Sequence, residues 1–401
     1  MELPVVVIRP CAPEAEPSLI ASTVHEMLGK VPGIEDRLAR ARIVFIKINL
    51  SPRGRREYLG RAVEYVDPVV LRAVAIWVAA RTGARIMVGD GTDGIGFEQA
   101  LEQEGHRAVI EELGLVPVNL NDPPYTRFVV PRPLSHRWYD LSAKIAEADF
   151  IISLAKMKSH HLCGVTLCVK NLFGLPPNKV YGSPRVLLHS AVRIPRVLAD
   201  LLQLVPPDLC IVDGIVGASS LEWGGDPVSS GVLIAGNDAL ATDAVAAKYM
   251  GVDPGAPWGT LPFFHADNHL RFCAEHGLGS IAQDGAVLDG EMAEMRRPFL
   301  PAGSAEPAFI ERLQENRRLV CGLAQDYFAH RESFVRDFGG QVISLRRDGA
   351  LAHGALDDKF GERFFGQHDA QGHSMEDWWY RSFIKRVEPE EAELAEPYTL
   401  T

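Results

Sequence analysis

The densest group of side chains that could do chemistry in this sequence lies between Lys156 and Asn171. Three lysines, two histidines, a threonine and an asparagine fall within these sixteen residues: Lys156, Lys158, His160, His161, Thr166, Lys170 and Asn171. A buried ammonium group needs a partner, so such a segment would be a poor way to build a core. It would suit a concave site for a carboxylate or a phosphate, because lysine supplies a point charge and histidine transfers protons near neutral pH. The competing interpretation is a solvated basic loop.

The segment directly follows Phe150–Leu154, an apolar run that we predict to be a strand buried on both faces. Similar runs alternate with helical patterns through roughly the first 250 residues, which predicts an α/β fold with a mostly parallel sheet flanked by helices. In such folds ligands bind beyond the carboxyl ends of the strands, where Lys156, Lys158 and His160 would lie. The other predicted strands are Val5–Ile8, Ile43–Ile48, Arg85–Val88, Val116–Asn119, Leu209–Val212 and Val232–Ala235.

Helices are predicted for Asp67–Arg81, which opens on an N-cap aspartate and a first-turn proline, and for Asp238–Met250. The pattern changes after Pro254. We therefore expect an α/β core over residues 1–255 and a mixed α+β extension over residues 256–401 that covers the site and shapes its pocket. In the extension we predict three helices and one hairpin, at Leu261–Glu275, Pro307–Val335, Met375–Arg386 and, for the hairpin, Val342–Leu356.

The loop Gly89–Gly94 has the G-x-G-x-x-G spacing of a dinucleotide-binding turn between a strand and a helix. Two carboxylates inside it, Asp90 and Asp93, argue against that use, because they would oppose the pyrophosphate that a helix N-terminus attracts. A tight turn with aspartate caps is the simpler interpretation. A third hypothesis pairs Asp90 or Asp93 with lysines of the adjacent strand loops.

The extension holds two concentrations of histidine. His265 and His269 are four residues apart on a predicted helix, near Asp267 and His276, so one helical face could present both imidazoles to a metal ion. We favour a helix face without function, because the glutamate of an H-E-x-x-H motif is missing. The second concentration is expected to cap the core or line a pocket and comprises His353, His368, His373, Trp378, Trp379 and Tyr380.

Composition limits the class of protein. The 401 residues carry a formal net charge of -11, which argues against a surface for nucleic acid or anionic lipid. No apolar stretch of about 18 residues and no positively charged leader occurs, so we expect a cytoplasmic protein without a membrane partner. Its partner should be a small-molecule substrate, and a homodimer is left open.

Six cysteines without a CxxC pair fit a reducing compartment. Cys163 and Cys168 form a CxxxxC pair that lacks the further ligands of a cluster, so we interpret both as free packing cysteines. An intrinsic iron-sulfur cluster is therefore not expected. The cofactor is otherwise unknown, with a divalent metal as one candidate.

The pattern K-x-K-x-H at Lys156–His160, followed by T-x-x-x-K-N-L-F-G at Thr166–Gly174, resembles the central signature of the family called domain of unknown function 362. Other blocks resemble the family in order and spacing: Ile46–Asn49, Val66–Pro68, Val88–Gly91, Ala199–Leu201, Val212–Ile215 and Gly236–Ala246. The resemblance covers roughly residues 43–255. Many similar members carry a ferredoxin-like module with clustered cysteines, which this chain lacks.

The resemblance implies a shared site at nine positions: Lys47, Lys156, Lys158, His160, Lys170, Asn171, Asp213, Asp238 and Asp243. We expect the site to contain these residues together with His161, Asn49, Asp90 and Thr166. The catalytic groups would be Lys158, His160, His161 and Lys170. The substrate-binding groups would be Lys47, Asn49, Asp90, Lys156, Thr166 and Asn171. Three aspartates would orient lysines or bind a cation: Asp213, Asp238 and Asp243.

A more distant likeness is to the lactate racemase family, whose members hold a nickel pincer nucleotide. His160 and Lys170 have the ten-residue spacing of that family's histidine and its cofactor-tethering lysine, and Asn171 and His189 stand near further counterparts. The glycine-rich context and the GTH motif are absent, with Gly91–Asp93 in place of the latter. The likeness implies a common fold and a common location of the site. Nickel is not the cofactor that we expect first.

We thus expect an enzyme that acts on a small anionic molecule by lysine and histidine acid-base chemistry, of lyase, isomerase or transferase type, in a specialised metabolic pathway. One alternative is a redox enzyme or racemase that depends on iron, nickel or flavin, with a metal held by His160, His161, His189 and an aspartate, Asp213 or Asp243. Another is a non-catalytic protein that presents an anionic cofactor to a partner. The sequence leaves open which of His160 and His161 faces the site.

Overall fold

In the computed structural model, the chain forms a large mixed sheet with helices on both faces. The structure describes residues 3–282, 286–290, 298–301, 306–346, 351–356 and 380–399. The described strands are β1 (Val5–Pro10), β2 (Ile43–Lys47), β3 (Glu57–Tyr58), β4 (Arg61–Ala62), β5 (Arg85–Asp90), β6 (Val116–Asn119), β7 (Tyr125–Val129), β8 (Trp138–Ser142), β9 (Phe150–His160), β10 (Gly164–Thr166), β11 (Leu209–Ser219), β12 (Asp226–Val228), β13 (Val232–Gly236), β14 (Val287–Asp289), β15 (Val342–Arg346), β16 (Leu351–Gly354) and β17 (Ser382–Arg386).

The helices connect these strands and pack on the sheet. In the described ranges they are α1 (Pro17–Gly29), α2 (Ile34–Leu38), α3 (Pro68–Ala79), α4 (Phe97–Gln103), α5 (His106–Leu113), α6 (Ala143–Glu147), α7 (Cys168–Asn171), α8 (Asn178–Tyr181), α9 (Ile194–Leu204), α10 (Ala239–Tyr249), α11 (His269–Glu275), α12 (Pro307–Ala329) and α13 (Arg331–Phe338). Short 3-10 turns lie at Leu172–Gly174 and Glu396–Tyr398.

The main sheet has the order β14-β1-β13-β11-β9-β2-β5-β6, with β10 beside β9 and β12 beside β11. The five strands from β11 to β6 run parallel, whereas β13 is antiparallel to both β11 and β1. The carboxyl ends of the five parallel strands therefore meet at one edge. This confirms the predicted α/β class with a mostly parallel sheet.

Apolar side chains fill both faces of the sheet, as the lack of polar alternation predicted. One buried cluster joins Val44 and Ile46 of β2 to α1, α3 and α5. A second joins Phe45 to α9, α10 and α11 on the opposite face. Because adjacent residues of a strand point to opposite faces, a continuous apolar run is what a doubly covered strand requires.

Two strands run at least six residues further than predicted. β9 continues past Leu154 to His160, and β11 continues past Val212 to Ser219, so each has eleven residues. Every residue of both strands is buried. Lys156, Lys158 and His160 thus belong to a strand and not to a solvated loop. Groups on neighbouring elements contact them, as described below.

The extension departs from the sequence prediction in two helices. Only His269–Glu275 of the predicted helix Leu261–Glu275 is helical, since the Asn268 side chain caps it by accepting from the N–H of Leu270 at 3.0 Å. Of the predicted helix Met375–Arg386, the part from Ser382 is strand β17, and residues 375–379 lie outside the described ranges.

The remaining predictions for the extension agree with the structure more closely. The long helix is divided at His330 into α12 and α13, and the predicted hairpin is present as β15 and β16. With β17 these strands form a separate antiparallel sheet, so the segment is mixed α+β as predicted. Strand β14 joins the main sheet beside β1. A boundary near residue 255 remains a prediction.

Candidate functional site

Lys47, at the end of β2, lies in a closed polar network. Its Nζ is 2.7 Å from Asp90 Oδ1 and donates to Asn171 Oδ1 at 3.0 Å. The Asn171 amide in turn donates to the Lys47 carbonyl at 3.0 Å and to Ser153 Oγ at 3.1 Å. Burial lowers the pKa of Lys47, and the Asp90 carboxylate opposes that shift. The network joins α7 to the sheet, and its polar groups form their hydrogen bonds and ion pair with one another.

The loop after β5 packs against this network. Gly91 donates its N–H to Asp90 Oδ1 at 2.8 Å. A Cβ on Gly174 would lie 2.6 Å from Lys47 Nζ, so only glycine allows the Leu172–Gly174 turn to approach the lysine. Asp93 forms an ion pair with Arg185 at 2.6 Å. The third hypothesis for this loop is thus the one that matches the contacts: Asp90 pairs with a lysine, and Asp93 pairs with an arginine.

Lys156 and Asp213 form a second neutralised pair inside the protein. Lys156 Nζ is 2.9 Å from Asp213 Oδ2, and both side chains are fully buried. The same carboxylate accepts the N–H of Asp67 at 2.8 Å and the N–H of Ile215 at 3.2 Å. The pair therefore joins β9, β11 and the start of α3.

Two of the three candidate aspartates are helix caps. Asp243 accepts the N–H groups of Cys168 and Val169, at 2.8 and 2.7 Å, and so caps α7 from α10. Burial raises the pKa of Asp243 to about 7. Asp238 caps α10 by accepting from the N–H of Ala241 at 2.8 Å. In the described contacts, both carboxylates accept backbone N–H groups at the start of a helix.

Lys158 lies two residues beyond Lys156 on the same face of β9. Its Nζ is 3.6 Å from the centroid of the Trp223 ring and donates to the Glu64 carbonyl at 2.8 Å. Burial lowers the pKa of Lys158 to about 7, while the charges of Glu222 and Glu64 oppose the shift. Thr166 faces Lys158 across the β9-β10 pair. Its buried hydroxyl has no hydrogen-bond partner among the described residues.

The lowered pKa of Lys158 predicts a pH-dependent stability. An unfolded lysine titrates near 10.4, so between about pH 7 and pH 10 the unfolded chain binds more protons than the folded one, and stability rises with pH. The Lys158→Met protein is expected to lack this contribution. Urea unfolding at several pH values measures this effect. The free energy of unfolding of wild type should increase relative to that of Lys158→Met as pH rises. The exposed Lys144→Met variant serves as the control, and parallel curves for Lys158→Met and wild type would contradict the assignment.

Lys170, on α7, differs from the other buried lysines of this region in having neither an ion pair nor a hydrogen bond to a described residue. Its Nζ lies 4.5 Å from the centroid of the Phe173 ring. Among the residues that the structure describes, no hydrogen bond or ion pair reaches this ammonium group, although the side chain is only 9% exposed. Burial lowers the pKa of Lys170, and the nearby Glu222 carboxylate opposes the shift. His189 also packs against Phe173, with ring centroids 5.1 Å apart.

His160 and His161 stack on each other beside Glu222, with ring centroids 5.2 Å apart. Glu222 Oε1 is 2.5 Å from His161 Nδ1, and Glu222 Oε2 accepts the His161 N–H at 3.0 Å. His160 Nδ1 accepts the N–H groups of Leu162 and Cys163 at 3.1 and 3.2 Å. Burial holds the pKa of His160 well below its usual value, and the positive charge of Lys170 adds to the shift. His160 is therefore a neutral imidazole.

The same three residues bring possible metal ligands together. One atom each of His160, His161 and Glu222 lies within 4.8 Å of the others, an arrangement compatible with a metal ion. Asp213 and Asp243 do not belong to any such group in the described ranges. His189 contacts His160 edge to face, with ring centroids 6.2 Å apart.

His265 of the extension lies next to this region. Its ring stacks on Tyr380 at 4.9 Å between centroids and lies 6.3 Å from His161. His265 precedes α11, so it does not share a helical face with His269, and that hypothesis is wrong. A cavity of about 20 Å³, room for roughly one water, lies beside it and is lined by His265, Tyr380, Asn316 and Arg317 among others.

Two other candidate residues of the extension have partners of their own. Asp267 forms an ion pair with Arg317 at 2.7 Å. His353 is exposed on β16 and contacts Gln341 Oε1 at 2.8 Å. The other predicted members of this group lie outside the described residues: His368, His373, Trp378 and Trp379.

Several residues of the site were missed in the sequence. Glu222 and Trp223 directly follow β11, at the carboxyl edge where ligands bind in this fold class, and that position was the available signal. Glu64 precedes α3 and reaches Lys158 with its backbone carbonyl, which no side-chain pattern reveals. Arg185 lies in a loop without regular structure.

Comparison with known proteins gives a relative and a structural neighbour. The "Thylakoid-associated protein sll1697" of Synechocystis is 29% identical over 261 residues, covering 63% of this chain and 75% of that protein. The lactate racemase apoprotein of Thermoanaerobacterium thermosaccharolyticum has a TM-score of 0.43 and 12% identity, covering 61% of this chain and 56% of the other. The match thus spans little more than half of the racemase, and a similarity this low carries no argument about chemistry.

None of the helices in the described ranges has both the length and the apolar character of a membrane span. The model of the family described as domain of unknown function (DUF362) matches residues 44–248, just over half of the chain and nearly the range over which the sequence resembled it. The protein is therefore a member of the domain of unknown function 362 family.

Proposed function

We propose that the protein is an enzyme that holds the anionic group of a small molecule at Lys170 and moves a proton through His161. The observation that carries this proposal is the state of Lys170, a buried ammonium group that no described residue pairs or hydrogen-bonds. An uncompensated buried charge is costly, and such groups in native proteins call for an explanation. A bound carboxylate or phosphate oxygen would supply the missing partner through a charge-assisted hydrogen bond.

The charge balance of the site favours an anion. Lys47, Lys156 and Arg185 each have a carboxylate partner: Asp90, Asp213 and Asp93. Lys158 and Lys170 remain, and Glu222 is the nearby carboxylate whose charge acts on both. One carboxylate is thus shared by Lys170 and by Lys158, whose pKa is about 7, and a negatively charged ligand would supply Lys170 with a counter-ion of its own.

His161 has the arrangement of a general base. Glu222 fixes its ring through Nδ1 and its backbone through the N–H, so Nε2 is the nitrogen that can take a proton. A carboxylate that orients a histidine in this way also stabilises the imidazolium that forms. The His161 side chain is 35% exposed, whereas His160 is enclosed. Of the two histidines, His161 is thus the one that we place in proton transfer.

Two further groups can contact a substrate. The Thr166 hydroxyl and the Asn49 Oδ1 atom are buried without hydrogen-bond partners in the described part of the chain. Lys158, with a pKa of about 7, can give or take a second proton at neutral pH. A base, a second proton carrier and an anion anchor are what an isomerase or lyase needs to act on an acidic C–H bond next to a carbonyl group.

This function is tested by solvent deuterium exchange. The protein is incubated in deuterium oxide with small carboxylates and phosphate esters that carry such a C–H bond, and incorporation is followed by NMR. Wild type is expected to label at least one compound, and His161→Gln is expected to lower the rate by a factor of about 100. Lys144→Met, an exposed change, should label as wild type does. Equal rates in wild type and His161→Gln would exclude the proposed role.

The Glu222→Gln variant separates two effects of Glu222 on His161: the orientation of the ring and the stabilisation of the imidazolium that proton transfer forms. Its amide can keep the ring in place but carries no charge, so the imidazolium loses its counter-ion. We expect the pH at which exchange is half-maximal to fall in this variant, with residual activity at high pH. An unchanged pH profile would show that Glu222 does not act on His161 during the reaction.

A further inference from the structure

We infer that His160 is a hydrogen-bond donor to the substrate, fixed by the backbone in its Nε2-protonated form, and neither a base nor a metal ligand. Its use in catalysis rests on the proposed function, whereas its tautomer does not. The first observation is the pair of backbone N–H groups, from Leu162 and Cys163, that both point at Nδ1. A ring nitrogen that accepts hydrogen bonds carries no proton, so the proton of the neutral ring is on Nε2.

The Nε2–H group is left for a ligand. The nearest carboxylate oxygen, Glu222 Oε1, is 3.9 Å away, beyond hydrogen-bonding distance, and it is already engaged by His161. No other described residue accepts from this nitrogen. The ring cannot rotate to seek a partner without losing the two backbone hydrogen bonds and the stacking on His161.

The same geometry excludes His160 as a base. A second proton could go only to Nδ1, where it would face two N–H donors. Burial opposes an imidazolium in the same direction, and so does the positive charge of Lys170, whereas the Glu222 carboxylate favours it. The two adjacent histidines therefore have different chemistry, because one is oriented by a carboxylate and the other by backbone amides.

The geometry also argues against a metal ion held by His160, His161 and Glu222, although their ligand atoms lie close together. Ligation through His160 Nε2 would move the ring proton to Nδ1, against the N–H groups of Leu162 and Cys163. Both hydrogen bonds would be lost in a buried site, at a cost of about 1 to 3 kcal/mol each.

The chemistry that this donor supplies is stabilisation of an oxyanion. When His161 Nε2 takes the proton from carbon, the electron pair of the C–H bond moves toward the adjacent carbonyl oxygen. The His160 Nε2–H group donates a hydrogen bond to that oxygen and keeps its proton. A neutral, pre-oriented donor in an enclosed site stabilises the charge without reorganisation. Return of a solvent-exchanged proton from His161 to the carbon restores the substrate, so the step balances and leaves a deuterium label.

The test is the tautomer of His160 in the full chain without substrate, from NMR of protein labelled with 15N-histidine. The His160 signals are identified by their loss in His160→Gln. We expect the neutral, Nε2-protonated pattern to persist from about pH 5.5 to about pH 8.5 and to be unchanged by one equivalent of zinc chloride. An Nδ1-protonated ring, titration within this range, or zinc-dependent loss of the Nε2 proton would overturn the inference.

A second readout tests the use of the donor. Glutamine keeps an N–H group near the position of Nε2, so His160→Gln is expected to retain more deuterium exchange than His160→Ala. At residue 161, by contrast, Gln and Ala should be equally inactive, because neither is a base. Equal loss in His160→Gln and His160→Ala would overturn donation to the substrate. A confirmed tautomer with no exchange by wild type would instead count against the proposed function alone.

Discussion

The Lys170→Met protein is expected to be more stable than wild type by about 1 to 3 kcal/mol, because the lysine is only 9% exposed and has no described counter-ion. Methionine fills similar space beside Phe173 without a charge. Most substitutions of buried residues destabilise a protein. An increase in stability would therefore indicate that Lys170 is present to bind a ligand although it destabilises the folded protein.

Urea unfolding at pH 7 measures this effect, with Lys144→Met as the matched control because its side chain is exposed and paired with Glu147. The control should change the free energy of unfolding by less than about 0.5 kcal/mol. A loss of stability in Lys170→Met would mean that the lysine has a structural partner, and the anion site would then be withdrawn.

Lys156→Met is expected to have the opposite effect and to destabilise the protein by about 3 to 5 kcal/mol. It removes one member of a fully buried ion pair and leaves the Asp213 carboxylate uncompensated. Two buried lysines on neighbouring elements should thus respond to the same substitution with opposite sign, because one has a counter-ion and the other does not.

A double-mutant cycle isolates the pair. Asp213→Asn removes the charge but keeps an oxygen that can accept the N–H of Asp67. The variant with both Lys156→Met and Asp213→Asn should be destabilised by less than the sum of the single changes, with a coupling energy of at least about 2 kcal/mol. The exposed pair Lys144 and Glu147 should give a coupling below about 0.5 kcal/mol. A similarly small value for the buried pair would contradict its assignment.

The sequence was sufficient to predict the class of fold and the location of the polar segment. Continuous apolar runs marked β2, β5 and β9 as doubly covered strands, and the segment from Lys156 had to lie at their carboxyl edge. The family resemblance added Lys47, and one hypothesis for the Gly89–Gly94 loop added Asp90. Both lie far from that segment in sequence and meet each other at the same edge.

What the sequence could not reveal is which charges neutralise one another. Lys156 and Asp213 are 57 residues apart, and His161 and Glu222 are 61 residues apart. Lysines in one segment looked equivalent, yet Lys156 has a carboxylate, Lys158 has a carbonyl and an indole ring, and Lys170 has no described counter-ion. Pairing of this kind depends on strand register, which spacing along one segment does not determine.

The extension was harder to predict for a related reason. Ser382–Arg386 was predicted as part of a helix but pairs with β15 as a strand, and its Phe383 and Ile384 side chains are buried in the small sheet. Local periodicity over a short segment cannot distinguish a helix from a strand when tertiary pairing decides the outcome.

The central claim is that Lys170 binds the anionic group of the substrate, and the most direct test is anion affinity. Inorganic phosphate and acetate are titrated into wild type, Lys170→Met and Lys144→Met by calorimetry at pH 7. Wild type and Lys144→Met should bind at least one of these anions, and Lys170→Met should bind it at least about 30-fold more weakly, the equivalent of roughly 2 kcal/mol. An affinity in Lys170→Met equal to that of wild type would contradict the claim.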